Sequence, residues 1–266
     1  HHRDHRARRG VLDRVAQEIV HHLAHFRRID VGGWGAVFVR QLDPGVLLRR
    51  LDVLQVGAAA HRGTATESGV VHGLTTGASD AECIDLAKRE FFKLTALSSD
   101  PAREKEEAAV PEMVKQGLKE LRGYGKPTST QGKIEYRFDS IAVPFIGYYD
   151  VEWANHNILV DLKTTHALPS KISTNHARQV SLYAVARGNE IDPRVAYITP
   201  KKSATYRVEN VSEHVKALER IGLAIQRFLS ITPDAEELAQ HVVPEVDSFY
   251  FKDPATRQAV FEVWGM

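Results

Sequence analysis

The most informative stretch of the chain is residues 143–163, which read VPFIGYYDVEWANHNILVDLK. Residues 143–153 and 158–163 are rich in β-branched and aromatic side chains, which favours two strands, and the polar residues 154–157 predict the turn between them. Just upstream, apolar and charged residues alternate over 134–138, as in a strand with one buried face. Three successive strands with short connections predict an antiparallel meander.

Amphipathic helical patterns lie on both sides of this meander. Two of the predicted helices begin at capping boxes, Ser79–Glu82 and Asn210–Glu213, in which an N-cap side chain and a carboxylate three residues later satisfy free backbone N–H groups. The order of helices and strands indicates an α/β or α+β domain with a central mixed sheet. The predicted helices cover residues 64–74, 79–97, 101–121, 173–187, 210–229, 233–241 and 254–264, and a strand at 195–199 is expected to pair with 204–208.

Composition is that of a globular protein and excludes several classes. Of the 266 residues, 43% are hydrophobic and 26% are charged. The single cysteine, Cys83, excludes a disulfide scaffold, a four-cysteine zinc site and a four-cysteine iron–sulfur cluster. The chain lacks a G-x-x-x-x-G-K-[ST] nucleotide motif and any run of roughly eighteen apolar residues that would predict a membrane span. Because the net charge is +1, nucleic-acid binding would have to rest on a local site.

Residues 1–57 differ from the rest and are interpreted as a basic, Arg- and His-rich N-terminal segment. Residues 1–87 contain eleven Arg and no Lys, and six of the 13 His lie within the first 25 residues. An apolar pattern predicts a helix at 11–26 in a surface-exposed basic arm. The same composition fits a segment that is not the natural start of the domain, and both interpretations stay open. The second unit is residues 58–266.

Two aspartates and a lysine form the candidate site. Asp150 lies near the end of one strand, and Asp161 and Lys163 lie two residues apart on its hairpin partner, so that these two side chains point to the same face. The aspartates offer hard oxygen ligands for Mg²⁺ or Mn²⁺, and Lys163 can stabilise charge on a phosphate or help to deprotonate a water molecule. A partly buried ion pair at a sheet edge explains the same residues equally well.

With three further blocks, these residues resemble the PD-(D/E)XK nuclease superfamily in its RecB-type exonuclease branch. The matching blocks are Arg62-Gly63-Thr64-Ala65, Gly147-x-x-Asp150, Asp161-Leu162-Lys163-Thr164-Thr165 and Gln179-x-x-x-Tyr183. The resemblance covers roughly residues 58–206. It implies a restriction-endonuclease-like core, in which a central mixed sheet is flanked by helices, and it makes residues 58–266 the nuclease domain.

The resemblance also implies a ligand set and a catalytic set. The implied metal ligands are Glu67, Asp150, Asp161 and the main-chain carbonyl of Leu162. Glu67 stands where many RecB-type members have His, whereas phage-type exonucleases of the superfamily carry Glu on the equivalent helix. An exposed helix residue is the alternative interpretation of Glu67. The implied catalytic residues are Asp150, Asp161, Lys163, Glu67, Gln179 and Tyr183.

Candidate nucleic-acid contacts complete the predicted site. Gln179 and Tyr183 are four residues apart on one helix face, which in the family faces the metal site and helps to hold the DNA strand. His176 and Arg178 begin the same helix, where backbone N–H groups favour an anion. The alternative for Tyr183 and Gln179 is a tyrosine packed in the core with a glutamine at its rim. The alternative for His176 and Arg178 is that both are solvated. Arg62, in the first matching block, is the remaining candidate contact.

The expected function is that of a Mg²⁺- or Mn²⁺-dependent deoxyribonuclease, exonucleolytic, acting in phage or bacterial recombination and repair. No nucleotide cofactor and no iron–sulfur cluster are expected. The expected partners are single- or double-stranded DNA ends and a recombinase, single-strand-binding protein or helicase, with no membrane, in the cytoplasm of a bacterial or phage-infected cell. A non-catalytic DNA-binding or assembly module of the same fold, and a hydrolase of RNA, are the alternatives.

Overall fold

The computed structural model describes residues 37–38, 57–98, 100–188, 190–246 and 254–265. Apart from residues 37–38 and Gly57, the N-terminal segment 1–57 lies outside the described residues, and so does the helix predicted at 11–26. Among the described helices, none combines the length and apolar character needed to cross a membrane.

The described residues form a mixed sheet of six strands. The antiparallel meander is confirmed: the second strand pairs with the third, and the third with the fourth. The fourth and fifth strands are parallel, and the fifth and sixth are antiparallel, as expected for 195–199 and 204–208. The strands are β1 (Val37–Phe38), β2 (Ser129–Tyr136), β3 (Phe145–Trp153), β4 (Ile158–Thr164), β5 (Asp192–Ile198) and β6 (Ser203–Arg207).

Helices precede, interrupt and follow the strands, close to the predicted positions. The first helix begins six residues earlier than predicted, because it takes in a run of alanines, which are strong helix formers. The helices are α1 (Ala58–Thr76), α2 (Asp80–Leu94), α3 (Arg103–Leu121), α4 (Thr174–Arg187), α5 (Val211–Leu229), α6 (Ala235–Ala239) and α7 (Pro254–Trp264).

One predicted capping box is confirmed and the other is wrong. Ser79 Oγ accepts from the N–H of Glu82, and the N–H of Ser79 donates to Glu82 Oε2 at 2.9 Å. Asn210 does precede α5, but its side chain makes no capping hydrogen bond. Its φ of 53° lies in the left-handed region, whereas a capping side chain reaches the first turn from an extended backbone.

Two apolar cores lie on opposite faces of the sheet. On one face, α1, α2 and α3 pack against Val151, Val160 and Leu162. On the other face, α4 and α5 pack against Tyr149 and Leu159. The alternation of Leu159, Val160 and Leu162 between the two cores follows the period of two of a regular strand. The protein is therefore a mixed α and β fold with a central mixed sheet flanked by helices, as the sequence predicts.

Candidate functional site

The candidate site lies where β3 and β4 separate. Along one edge, β3 pairs with β1 at residues 145–146 and with β4 at residues 151–153. The pairing with β4 ends at Val151 opposite Val160. Asp150 and Asp161 are the next positions in this register, so the hairpin places the two predicted aspartates together at the point where the ladder stops.

Beyond the last backbone pair between β3 and β4, the Asp150 side chain provides the next hydrogen bond between the two strands. Its Oδ2 accepts a hydrogen bond from the Leu162 N–H at 2.7 Å. A strand residue that donates toward one neighbour also presents its carbonyl to that neighbour, so the Leu162 carbonyl faces the same side as Asp150. Asp150 is thus hydrogen-bonded to the backbone of Leu162, the residue whose carbonyl is a predicted metal ligand.

The regular alternation of β3 breaks at Asp150. Tyr149 belongs to the core beneath α4 and α5, whereas Val151 belongs to the core beneath α1–α3, although residues two apart share a face in a regular strand. On β2, the pairs on either side are Thr130 with Val151 and Gly132 with Tyr149. Irregularities of this kind redirect a side chain and are frequent beside active sites.

Glu67 and Gln131 reach Asp150 from the neighbouring elements. The Gln131 Nε2 donates to Glu67 Oε1 on α1 and lies 3.5 Å from Asp150 Oδ1. Burial raises the pKa of Asp150 well above its usual range, and the charges of Glu67 and Asp161 raise it further. The ammonium of Lys163 and the Leu162 N–H act in the opposite direction. Three carboxyl groups therefore lie close enough at this point of the sheet for the charges of two of them to raise the pKa of the third.

Asp161 and Lys163 form the ion pair that their spacing predicts. Lys163 Nζ lies 2.8 Å from Asp161 Oδ2, and both side chains are more than nine-tenths buried. Within the described part of the chain, Asp161 Oδ2 accepts no aligned hydrogen bond besides this ionic contact. A buried carboxylate held by an ammonium alone is incompletely satisfied, which is costly in a structural ion pair.

Gln179 and Tyr183 lie on the inner face of α4, next to the aspartates. Gln179 Nε2 donates to the Tyr183 hydroxyl at 2.7 Å. Burial raises the pKa of Tyr183, and the nearby charge of Asp161 raises it as well. The tyrosine is 4% exposed and belongs to the core. It is therefore packed in the core and also lies close to the candidate site.

Gly147 makes room for Tyr183. A Cβ atom at residue 147 would lie 2.5 Å from Cε1 of the Tyr183 ring. Because overpacking a well-filled core costs about 1–3 kcal/mol, we expect Gly147→Ala to lower the free energy of unfolding by that amount in urea titrations. Gly123→Ala is the matched control, since a Cβ there meets nothing within 4 Å. Equal stability of the two variants would contradict this close packing.

The remaining predicted nucleic-acid contacts, Arg62, His176 and Arg178, each interact with other parts of the protein. Arg62 is 5% exposed and forms a buried ion pair with Glu106 on α3. His176 Nδ1 lies 2.7 Å from the hydroxyl of Tyr197, the residue that pairs with Lys163 in the sheet. Arg178 lies near His214 on α5. The pKa of His214 is lowered first by burial and then by the positive charge of Arg178.

The Arg62 ion pair is part of a wider polar cluster. Arg62 also donates to the main-chain carbonyl of Thr164, at 3.2 Å, and lies 3.0 Å from His166 Nε2. The same His166 nitrogen lies 3.0 Å from both carboxylate oxygens of Glu106. These contacts join α1 and α3 to the end of β4, directly after Lys163.

Two groups in or behind the site were missed from the sequence. Gln131 carries no motif, and the signal beside it is the isolated Gly132 within a strand, which is typical of a bulge or a close approach. Glu152 is buried and receives hydrogen bonds from Arg187, Ser129 and Tyr149. Burial alone would raise the pKa of Glu152, but these hydrogen bonds lower it overall.

Across the described residues, no group of three or more His, Cys, Asp and Glu side chains is arranged to hold a metal ion. No family model, curated protein or solved structure matches the chain.

Proposed function

We propose that this chain is a Mg²⁺- or Mn²⁺-dependent deoxyribonuclease of the PD-(D/E)XK superfamily, of the RecB-type or phage exonuclease branch. The observation that carries the proposal is the gathering of Glu67, Asp150, Asp161 and Lys163 where β3 and β4 separate. These residues come from three separate elements of the chain, and a purely structural ion pair would not require the third carboxylate or the break in β3.

The order of elements supports a restriction-endonuclease-like core. A helix precedes the antiparallel meander, and α4 then crosses to a strand parallel to β4. This crossover places α4, with Gln179 and Tyr183, over the β3 end that carries Gly147 and Asp150. Strand positioning by Gln179 and Tyr183 is therefore part of the proposal.

The chemistry of the proposed donors suits a hard divalent cation, although the described side chains are not grouped around a single metal position. Carboxylate oxygens of Glu67, Asp150 and Asp161 and the Leu162 carbonyl are the ligand types that Mg²⁺ and Mn²⁺ prefer. Asp161 Oδ2 is incompletely satisfied, and the charges of Glu67 and Asp161 add to the effect of burial in raising the pKa of Asp150, so a cation bound here would offset repulsion among these carboxyl groups. A bound cation would supply an activated water and neutralise the scissile phosphate.

The chain's own residues supply the remaining steps of hydrolysis. Lys163, held by Asp161 in a buried position, stabilises the negative charge that grows on the phosphate and orients the attacking water. Gln179 and Tyr183 hold the DNA strand against this edge of the sheet. Exposed lysines at 171, 201 and 202, with His176 and Arg178, offer a local basic path for the phosphate backbone despite the near-neutral net charge.

The proposed setting is bacterial or phage recombination and repair, in the cytoplasm. A recombinase, a single-strand-binding protein or a helicase would supply or receive the DNA ends. Exonucleolytic action requires a free end, so the topology of the DNA substrate is the variable that separates this activity from that of an endonuclease.

Asp161→Asn tests the proposal as an isosteric change that removes one negative charge. End-labelled linear single-stranded DNA, linear double-stranded DNA, closed circular DNA and RNA are incubated with the protein and Mn²⁺ or Mg²⁺. We expect degradation of linear but not circular DNA, loss of this activity in Asp161→Asn and loss on adding EDTA. Glu135→Gln, at an exposed carboxylate on β2, is the matched control and should retain activity.

Other outcomes of this assay are equally informative. Cleavage of circular DNA would replace the exonuclease with an endonuclease, and cleavage of RNA alone would replace the substrate class. Folded protein that binds DNA ends without cutting any substrate would favour the non-catalytic module. Full activity in Asp161→Asn would contradict the site.

A further inference from the structure

The side chain of Gln131 lies between two of the carboxyl groups, those of Glu67 and Asp150. Its Nε2 donates to Glu67 Oε1 and lies 3.5 Å from Asp150 Oδ1. One amide group therefore connects α1 to β3 across β2. An amide that donates to carboxylates stabilises their charged forms, although it carries no charge of its own.

The backbone at Gln131 is held in an unusual conformation. Its φ is 53°, in the left-handed region that side-chain-bearing residues rarely adopt, although the residue lies inside β2. β2 pairs with β3 on both sides of Gln131, at Thr130 with Val151 and at Gly132 with Tyr149. Strain of this kind persists where the surroundings fix it, and it clusters at functional sites.

Gly132 helps to explain how this strain is maintained. A Cβ atom at residue 132 would lie 2.1 Å from Cζ of the Tyr149 ring, so the ring covers the backbone of β2 next to Gln131. The Tyr149 hydroxyl is anchored in turn by Ser129 Oγ at 2.8 Å and Glu152 Oε2 at 2.9 Å. The backbone next to Gln131 is thus held against an anchored ring, while the Gln131 side chain is held by its contacts with Glu67 and Asp150.

We propose that Gln131 is a positioning residue that occupies the place of the cation between Glu67 and Asp150 and must swing aside when Mg²⁺ or Mn²⁺ binds. This inference rests on the proposed metal-dependent function and adds a residue that tunes cation affinity. Because the amide and the cation compete for the same carboxylate oxygens, the apparent affinity is reduced by the fraction of molecules in which the amide is in place.

Gln131→Gly isolates the side chain from the backbone. Glycine adopts a positive φ without strain, so the variant removes the amide and keeps the strand conformation. Asn157→Gly is the matched control, since Asn157 also has a φ of 53° but lies in the turn at the far end of β4. Gln131→Asn is a second variant: it retains an amide and tolerates the left-handed region, but it is one methylene shorter and cannot bridge both carboxylates.

The experiment measures Mn²⁺ binding without DNA, by the electron paramagnetic resonance signal of free Mn²⁺, with the shift in melting temperature as a second readout. Relative to the wild type, we expect Kd to fall at least about threefold in Gln131→Gly and to fall in Gln131→Asn, with no change in Asn157→Gly. Asp150→Asn should lose binding.

The wild type and the variants separate a wrong role for Gln131 from a wrong metal site. If the wild type binds Mn²⁺ through Asp150 but Gln131→Gly binds no more tightly than Asn157→Gly, Gln131 does not compete with the cation and the inference is overturned. If the wild type and Asp150→Asn show the same lack of binding, the metal site itself is wrong and both proposals are overturned.

Discussion

Replacing Lys163 with glutamine is expected to lower kcat for DNA hydrolysis by about 100- to 1,000-fold, the usual effect of removing one preorganised group that stabilises transition-state charge. The reason is positional: Lys163 Nζ is fixed 2.8 Å from Asp161 Oδ2 in a buried setting, where electrostatic interactions are stronger than in water. Because the interaction forms mainly in the transition state, kcat and kcat/KM should fall together, with KM nearly unchanged.

Steady-state kinetics on linear DNA check this expectation, with circular dichroism to show that the variant is folded. Lys133→Gln is the matched control, because Lys133 lies on β2 with its side chain 53% exposed. A rise in KM at constant kcat would assign Lys163 to substrate binding. Unchanged kinetics would remove it from the reaction.

Arg62→Ala is expected to lower the free energy of unfolding by about 3–5 kcal/mol, since it removes the guanidinium that pairs with the buried carboxylate of Glu106 and leaves His166 beside that carboxylate. Both side chains are 6% exposed, and Arg62 also loses its hydrogen bond to the Thr164 carbonyl. Urea unfolding measures the loss. The double variant Arg62→Ala/Glu106→Ala should recover part of it, because the unpaired charge is then gone.

The same variant distinguishes two roles for Arg62. The family resemblance implies a nucleic-acid contact, which predicts a higher KM for DNA and unchanged stability. The ion pair with Glu106 predicts lower stability, and an effect on activity only through the displaced end of β4. Arg62→Ala with normal stability and a large rise in KM would contradict the structural role and support the contact.

The sequence predicted those parts of the molecule in which local pattern and final position agree. The β3–β4 hairpin follows from two apolar runs and a polar turn, and the Asp161–Lys163 contact follows from the alternation of a strand. Ser79 and Glu82 form their capping box because both partners lie within one helical turn.

Other features depend on residues that are distant in sequence and were not predicted. The contact of Arg62 with Glu106 joins positions 44 residues apart. The positive φ of Gln131 occurs beside the Tyr149 ring and a gap in the pairing with β3, and neither feature is encoded in residues 128–132 alone. Asn210 is a residue type that often caps helices, but its left-handed backbone conformation is not that of a capping residue, and its side chain makes no capping hydrogen bond.

The raised pKa of Asp150 makes this carboxyl group unfavourable for the stability of the fold. A carboxyl whose pKa is higher in the folded than in the unfolded state makes the fold lose stability as pH rises from the unfolded pKa toward the folded one. At neutral pH Asp150 therefore weakens the fold that carries it. Selection for thermal stability alone would favour neutral replacements of Asp150, so retention of this aspartate among variants would report a requirement other than stability.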